Sequence, residues 1–165
     1  MKSRLWYPQL DVYDTLRRMC ALLQSFGTQP SVERLCIADF YLATPSLLHH
    51  TSMRLEMRHA FKDLKIQRPE KGFVSYPAPQ ILFHKMESIQ KQALSELSGK
   101  GLVSNELLIK GKVKLTPLGY KKFPLQTMAS PEEIKICLFL TSKFSAIEEV
   151  GNKQLRLQTG LRRPS

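Results

Sequence analysis

No stretch of this sequence approaches the roughly 20 consecutive apolar residues that a helix needs to cross a bilayer, so no membrane partner is expected. The segment from Met1 to Pro8 carries Lys2 and Arg4 but no apolar run of signal-peptide length, and a cytoplasmic address is expected from it. Cysteine is scarce. Cys20, Cys36 and Cys137 form neither an even set nor a C-x-x-C pair. Each sits in an apolar, helix-like stretch, where a reduced thiol behaves as a small hydrophobe. The phosphate-cradling G-x-x-x-x-G-K-[ST] loop, G-x-G-x-x-G and the G-x-S-x-G nucleophile elbow are all missing. His49 and His50 point to different sides of any helix, and His59 has no H-E-x-x-H or Cys/His cluster around it, so no metal or other cofactor is expected. The 14 carboxylates are scattered singly or lie in first helical turns, where capping accounts for them. The chain reads as a non-catalytic binding module.

What is present is positive charge. A formal charge of +11 and a pI near 9.8 call for an acidic partner, either nucleic acid or the acidic surface of a protein. The excess is concentrated: between residues 100 and 122, Lys100, Lys110, Lys112, Lys114, Lys121 and Lys122 face Glu106 alone. With 165 residues the chain is long enough for one domain with a core of its own and an appendage.

Apolar periodicity predicts a series of helices. Asp11 caps one that carries Val12, Leu16, Met19, Cys20, Leu23 and Phe26, with Arg17 and Arg18 outside. Ser31 caps a second, from Val32 to about Ala43, apolar around much of its circumference and therefore central, and stopped by Thr44-Pro45. Residues 46–64 form another helical region, with Leu47 and Leu48 continuing the core. A long loop over residues 67–79, holding Phe73, Val74 and Tyr76, is expected to lie against the body. Ser130-Pro131-Glu132-Glu133 is a capping box with proline at the first helical position, and Asn152 caps a last short helix.

The stretch from Pro79 to Thr116 organises the rest. A helix over Ile81–Leu97 places Leu82, Met86, Ile89, Ala93, Leu94 and Leu97 on one face and His84, Lys85, Ser88, Lys91, Gln92 and Ser95 on the other, and Gly99 is the expected left-handed stop. Leu102-Val103-Ser104 and Lys112-Val113-Lys114-Leu115-Thr116 then read as two strands, the second with one wet face. Helix, turn, strand, loop and strand is the order of a winged helix. The expected fold is therefore mostly α with a small β-wing, a winged helix-turn-helix domain over residues 1–123 and a C-terminal helical extension over residues 124–165. The candidate DNA-binding residues are Lys100, Lys110, Lys112 and Lys114 on the wing, with Lys85 and Lys91 on the preceding helix.

The segment Leu35-Cys36-Ile37-Ala38-Asp39-Phe40-Tyr41-Leu42-Ala43-Thr44-Pro45-Ser46-Leu47-Leu48 resembles a stretch of the middle components of three-component ABC systems. Leu82-Phe83 through Gln90 with Ala93-Leu94, the Lys100-Gly101-Leu102-Val103 turn, and Thr159-Gly160-Leu161 are similar to further pieces of that family. The resemblance implies an SMC-like or Rad50-like ABC ATPase as partner, and an effector, frequently a nuclease, as third component. Lamassu-type defence systems against phage and plasmids share this arrangement. It implies no catalytic residue and no fixed DNA-reading motif. The reading that follows is an accessory subunit bridging ATPase and effector, in contact with double-stranded DNA through the wing. The alternative is a free-standing winged-helix transcription regulator, which needs a recognition helix that reads base edges.

Overall fold

The computed structural model describes residues 7–71, 76–144 and 151–161. Its elements are α1 (Val12–Ser25), α2 (Val32–Ala43), α3 (Leu55–Asp63), α4 (Pro79–Gly99), α5 (Asn105–Ile109), α6 (Pro117–Lys122), α7 (Leu125–Met128), α8 (Pro131–Leu138) and α9 (Gly151–Thr159). Short 3-10 turns at Pro8–Leu10, Pro45–His50 and Pro69–Lys71 and a π turn at Phe139–Lys143 join them. Phe73 and Val74 of the expected loop lie outside the described residues; Tyr76 is half-buried against the core.

Local chemistry sets most helix ends. Asp11, Ser31, Ser104, Thr116 and Ser130 each accept a backbone N–H three residues on, satisfying a donor that the first turn leaves orphaned. Proline occupies the first helical turn of α4, α6 and α8, where its missing N–H costs nothing. The region 46–64 is broken rather than continuous, a 3-10 turn to His50 and then α3 from Leu55. Asn152 is the second residue of α9 rather than the residue preceding it, and its side-chain amide donates to Ser31 Oγ at 3.0 Å.

The core forms where α1, α2 and α4 pack on one another, with α8 and the π turn across α2. Phe40, Tyr41, Phe83, Phe139 and Phe144 fill it. Phe40 meets Tyr41 and Phe83 edge-on at 4.9 and 5.6 Å, and Tyr41 meets Phe144 at 5.5 Å, arrangements that contribute about 0.5–1.5 kcal/mol each beyond burial. Cys20, Cys36 and Cys137 are free and buried in this core. Desolvation pushes the Cys20 and Cys137 thiols up to about 12, so both stay protonated and unreactive at neutral pH.

Two further sequence expectations are overturned. Arg18 is not outside; it is 2% exposed and its guanidinium is held entirely within the protein. Nε donates to Asp39 Oδ1 at 2.7 Å, Nη1 to Asp14 Oδ2 at 2.7 Å and to the Pro8 carbonyl at 2.9 Å, and Nη2 to Thr15 Oγ1 at 2.9 Å and Asp39 Oδ2 at 3.5 Å. Arg17 is half-buried and ties α1 to Glu133 of α8 and to the Met128 carbonyl.

The β-wing is the other. Among the described residues there is no strand, and a winged helix is replaced by a helical domain. Residues 112–116 do run extended, but their backbone is divided between two partners. Val103 pairs with Leu115 in one antiparallel bridge, and Ser31 pairs with Lys112 in another. Val113 N–H donates to the Pro30 carbonyl, and Val32 N–H to that of Gly111. Ser104, in place of continuing a strand, caps α5 at once. Neither pairing reaches ladder length.

Candidate functional site

The lysine-rich edge is built from the end of α4 onward. Leu102 N–H donates to the Leu97 carbonyl and Gly101 N–H to that of Ser98, both closing the last turn of α4. That is a Schellman cap, and its left-handed residue is Gly101, at φ +70°, not Gly99. Leu97 and Leu102 are both buried beneath it. After α5 the chain turns at Gly111, φ +78°, where any side chain would be strained, and enters the extended run. Val113 and Leu115 point into the core while Lys112 and Lys114 are exposed, so the expected alternation holds although the hairpin does not.

The edge gathers Lys110, Lys112, Lys114, Lys121 and Lys122, all exposed and none in an ion pair with a described carboxylate. Ile109, the last residue of α5 and next in sequence to Lys110, is 88% exposed. Lys100 adjoins the edge but leans toward Glu96 at 3.9 Å. Lys85 and Lys91 are not brought to it. Both lie further back on α4, Lys91 about 14 Å and Lys85 about 22 Å from Lys100 along the axis at the standard helical rise. Lys91 is moreover paired with Glu87 at 3.1 Å.

Lys91 instead borders a groove of about 790 Å³ between α2, α4 and α9, floored by Val32, Cys36, Phe83 and Leu94. Arg156 of α9 donates to Glu33 of α2 at 2.8 Å across it, and Leu157 is 60% exposed at its rim. Its cations and carboxylates are thus largely mutually neutralised, unlike those of the lysine edge. His49 is spoken for as well, its Nε2 lying 2.7 Å from the Ile66 carbonyl and its ring edge-on to Phe61. Among the described residues no group of three His, Cys, Asp or Glu side chains is placed to hold a metal ion.

The family model for the ABC-three component (ABC-3C) system Middle Component 5 matches residues 4–163. The chain belongs to this family. A middle component acts with the other components of a three-component ABC system, and the architecture of this middle component is the helical domain just described. No curated protein and no solved structure matches the chain. None of its described helices is long and apolar enough to cross a membrane.

The pieces of sequence that resemble the family have structural work in this middle component. Asp39, Phe40, Tyr41 and Leu42 are all buried, Gly101 is the Schellman glycine, and Gly160, at φ +73°, turns the chain so that Leu161 is buried after α9. Sequence reasoning missed Arg18 and Asp39 as partners. The signal that existed was Asp39 itself, a carboxylate in the middle of an apolar run, which once buried needs a cation or hydrogen-bond donors around it.

Proposed function

We propose that this middle component is a non-catalytic accessory subunit that binds an SMC/Rad50-like ABC ATPase and joins it to a nuclease-type effector, in Lamassu-like defence against phage and plasmid DNA. Membership of the middle-component family over residues 4–163 supports the assembly role. Co-expression with the adjacent genes tests it: a large coiled-coil ATPase should co-purify with this chain, and purification of the chain alone, with no such ATPase encoded nearby, overturns the reading. The transcription-regulator alternative rests on a winged helix, and among the described residues no strand forms a wing.

Within the assembly, the unpaired lysine edge supports contact with duplex phosphates. Lys112 and Lys114 stand on the same side of an extended segment, about 6–7 Å apart at the usual rise, a spacing that suits successive phosphates. Lysine is a point charge and does not read bases, so binding is independent of sequence and falls steeply with salt. Replacing Lys110, Lys112 and Lys114 together by Glu should leave folding stability within about 0.5 kcal/mol. Duplex affinity of the assembled complex should fall by roughly 30-fold or more, and the slope of log affinity on log salt should flatten by about 2.7, that is about 0.9 for each phosphate no longer neutralised. Unchanged affinity at low salt would mean that this edge faces protein or solvent.

A further inference from the structure

A second cationic region lies at α3. Arg58, Lys62, Lys65 and Arg68 recur at intervals of four, three and three, which places the first three along one face of α3 and its final turn. All four are exposed, and all four line one concavity of about 480 Å³ whose lining also includes Leu48, Met53, Phe61 and Ile66. No carboxylate lines it, and none of the four cations is in an ion pair with a described carboxylate. In the larger groove, by contrast, both lining carboxylates, Glu33 and Glu87, are paired with cations.

Two physical points bear on this pocket. Like charges spaced four apart on a helix repel by a few tenths of a kcal/mol, so Arg58 and Lys62 together carry a cost that a bound anion relieves. Lys65 has φ +53°, the one positive φ outside glycine among the described residues. It follows Leu64, the C-cap of α3, at the position where a left-handed residue closes many helices and where glycine or asparagine would sit with less strain. The half-buried Met53 and Ile66 give the lining some apolar surface, while Leu48 and Phe61 are buried beneath it, Phe61 edge-on to His49 at 4.8 Å.

We infer that this pocket binds a nucleotide bearing several phosphates. Its volume lies in the range of about 300–1,000 Å³ usual for small-ligand sites. Four cations lining it match a polyphosphate, and Met53 and Ile66 offer apolar surface against which a base packs, which a site that merely tracks a duplex backbone does not require. The pocket is distinct from the lysine edge, and its occupancy does not depend on duplex contact there.

Titration of the full chain with a fluorescent ATP analogue at physiological ionic strength tests the inference. Saturable one-to-one binding is expected, with ATP displacing the analogue about tenfold more effectively than inorganic tripolyphosphate, the difference coming from burial of the base. The double variant Arg58→Glu, Lys62→Glu should bind at least roughly tenfold more weakly, because it removes charge-assisted hydrogen bonds to phosphate, with an unchanged thermal midpoint. If that variant misfolds, Arg58→Gln with Lys62→Gln carries the same test with a smaller effect. The Lys110, Lys112 and Lys114 to Glu variant should bind the analogue normally. Absence of saturable binding, equal competition by tripolyphosphate, displacement by duplex DNA as effective as by ATP at equal phosphate, or indifference to both α3 variants overturns it.

Discussion

Asp39→Ala is expected to destabilise the protein by about 3–5 kcal/mol, the cost of leaving a buried charge without its partner. Asp39 is fully buried and accepts from Arg18 through both oxygens and from Gln90 Nε2 at 2.8 Å, so three helices, α1, α2 and α4, meet on one carboxylate. Burial alone lowers the Arg18 pKa, but attraction to Asp39 and its hydrogen bond, followed by those of Asp14, outweigh it and raise the guanidinium above its ordinary value. Arg18 cannot escape the loss by giving up its proton. Since a domain has only about 5–15 kcal/mol in total, the variant should unfold at a much lower urea concentration than the parent. The double change Arg18→Met, Asp39→Leu should be more stable than Asp39→Ala alone. It should recover only part of the loss, because Asp14, Thr15, Gln90 and the Pro8 carbonyl keep polar atoms that faced the pair. Equal midpoints for parent and Asp39→Ala would show that the pair holds nothing together.

Gly119→Ala should cost about 3 kcal/mol, at the upper end of what overpacking does. A Cβ at Gly119 would stand 2.4 Å from the Leu102 carbonyl oxygen and 3.0 Å from Leu115 Cδ2. The obstacle is backbone, so it cannot swing aside. That oxygen accepts the Thr116 N–H at 3.0 Å, and Thr116 is also the cap of α6. Separating Gly119 from Leu102 therefore strains the bridge that carries the lysine edge. At roughly 2–4 °C per kcal/mol for a chain of this size, the thermal midpoint should drop by about 6–12 °C. Gly27→Ala is the matched control, with open space around its Cβ and no left-handed φ, and should shift stability by no more than about 1 kcal/mol. Identical behaviour of the two alanine variants would rule out the close approach.

The two halves of the lysine-edge expectation met different fates for a reason that lies in the backbone. Alternation of Lys112 and Lys114 with Val113 and Leu115 reports which side chains are buried, and burial on a period of two needs only an extended chain. A wing also needs a second strand. Whether residues 102–104 or residues 30–32 supply the pairing depends on where α1 and α2 carry the latter, and neither periodicity nor turn chemistry contains that. Gly99 and Gly101 show the same limit at smaller scale. Two glycines separated by one lysine both suit a helix stop, and the burial of Leu102 under Leu97 selects the second.

The sequence by itself determined the positions of the main helices, their caps at Asp11, Ser31 and Ser130, the outward face of α4, and the exposed lysines, because each follows from interactions within four residues of chain or from local apolar spacing. Tertiary structure alone decided that Arg18 is buried on Asp39, that Arg17 reaches Glu133, that residues 112–116 divide between two partners, and that Arg58, Lys62, Lys65 and Arg68 surround a concavity. Those outcomes join residues up to 116 positions apart. A charged residue on a helix is compatible with solvent or with a buried partner, and only the packing of the other helices chooses between them.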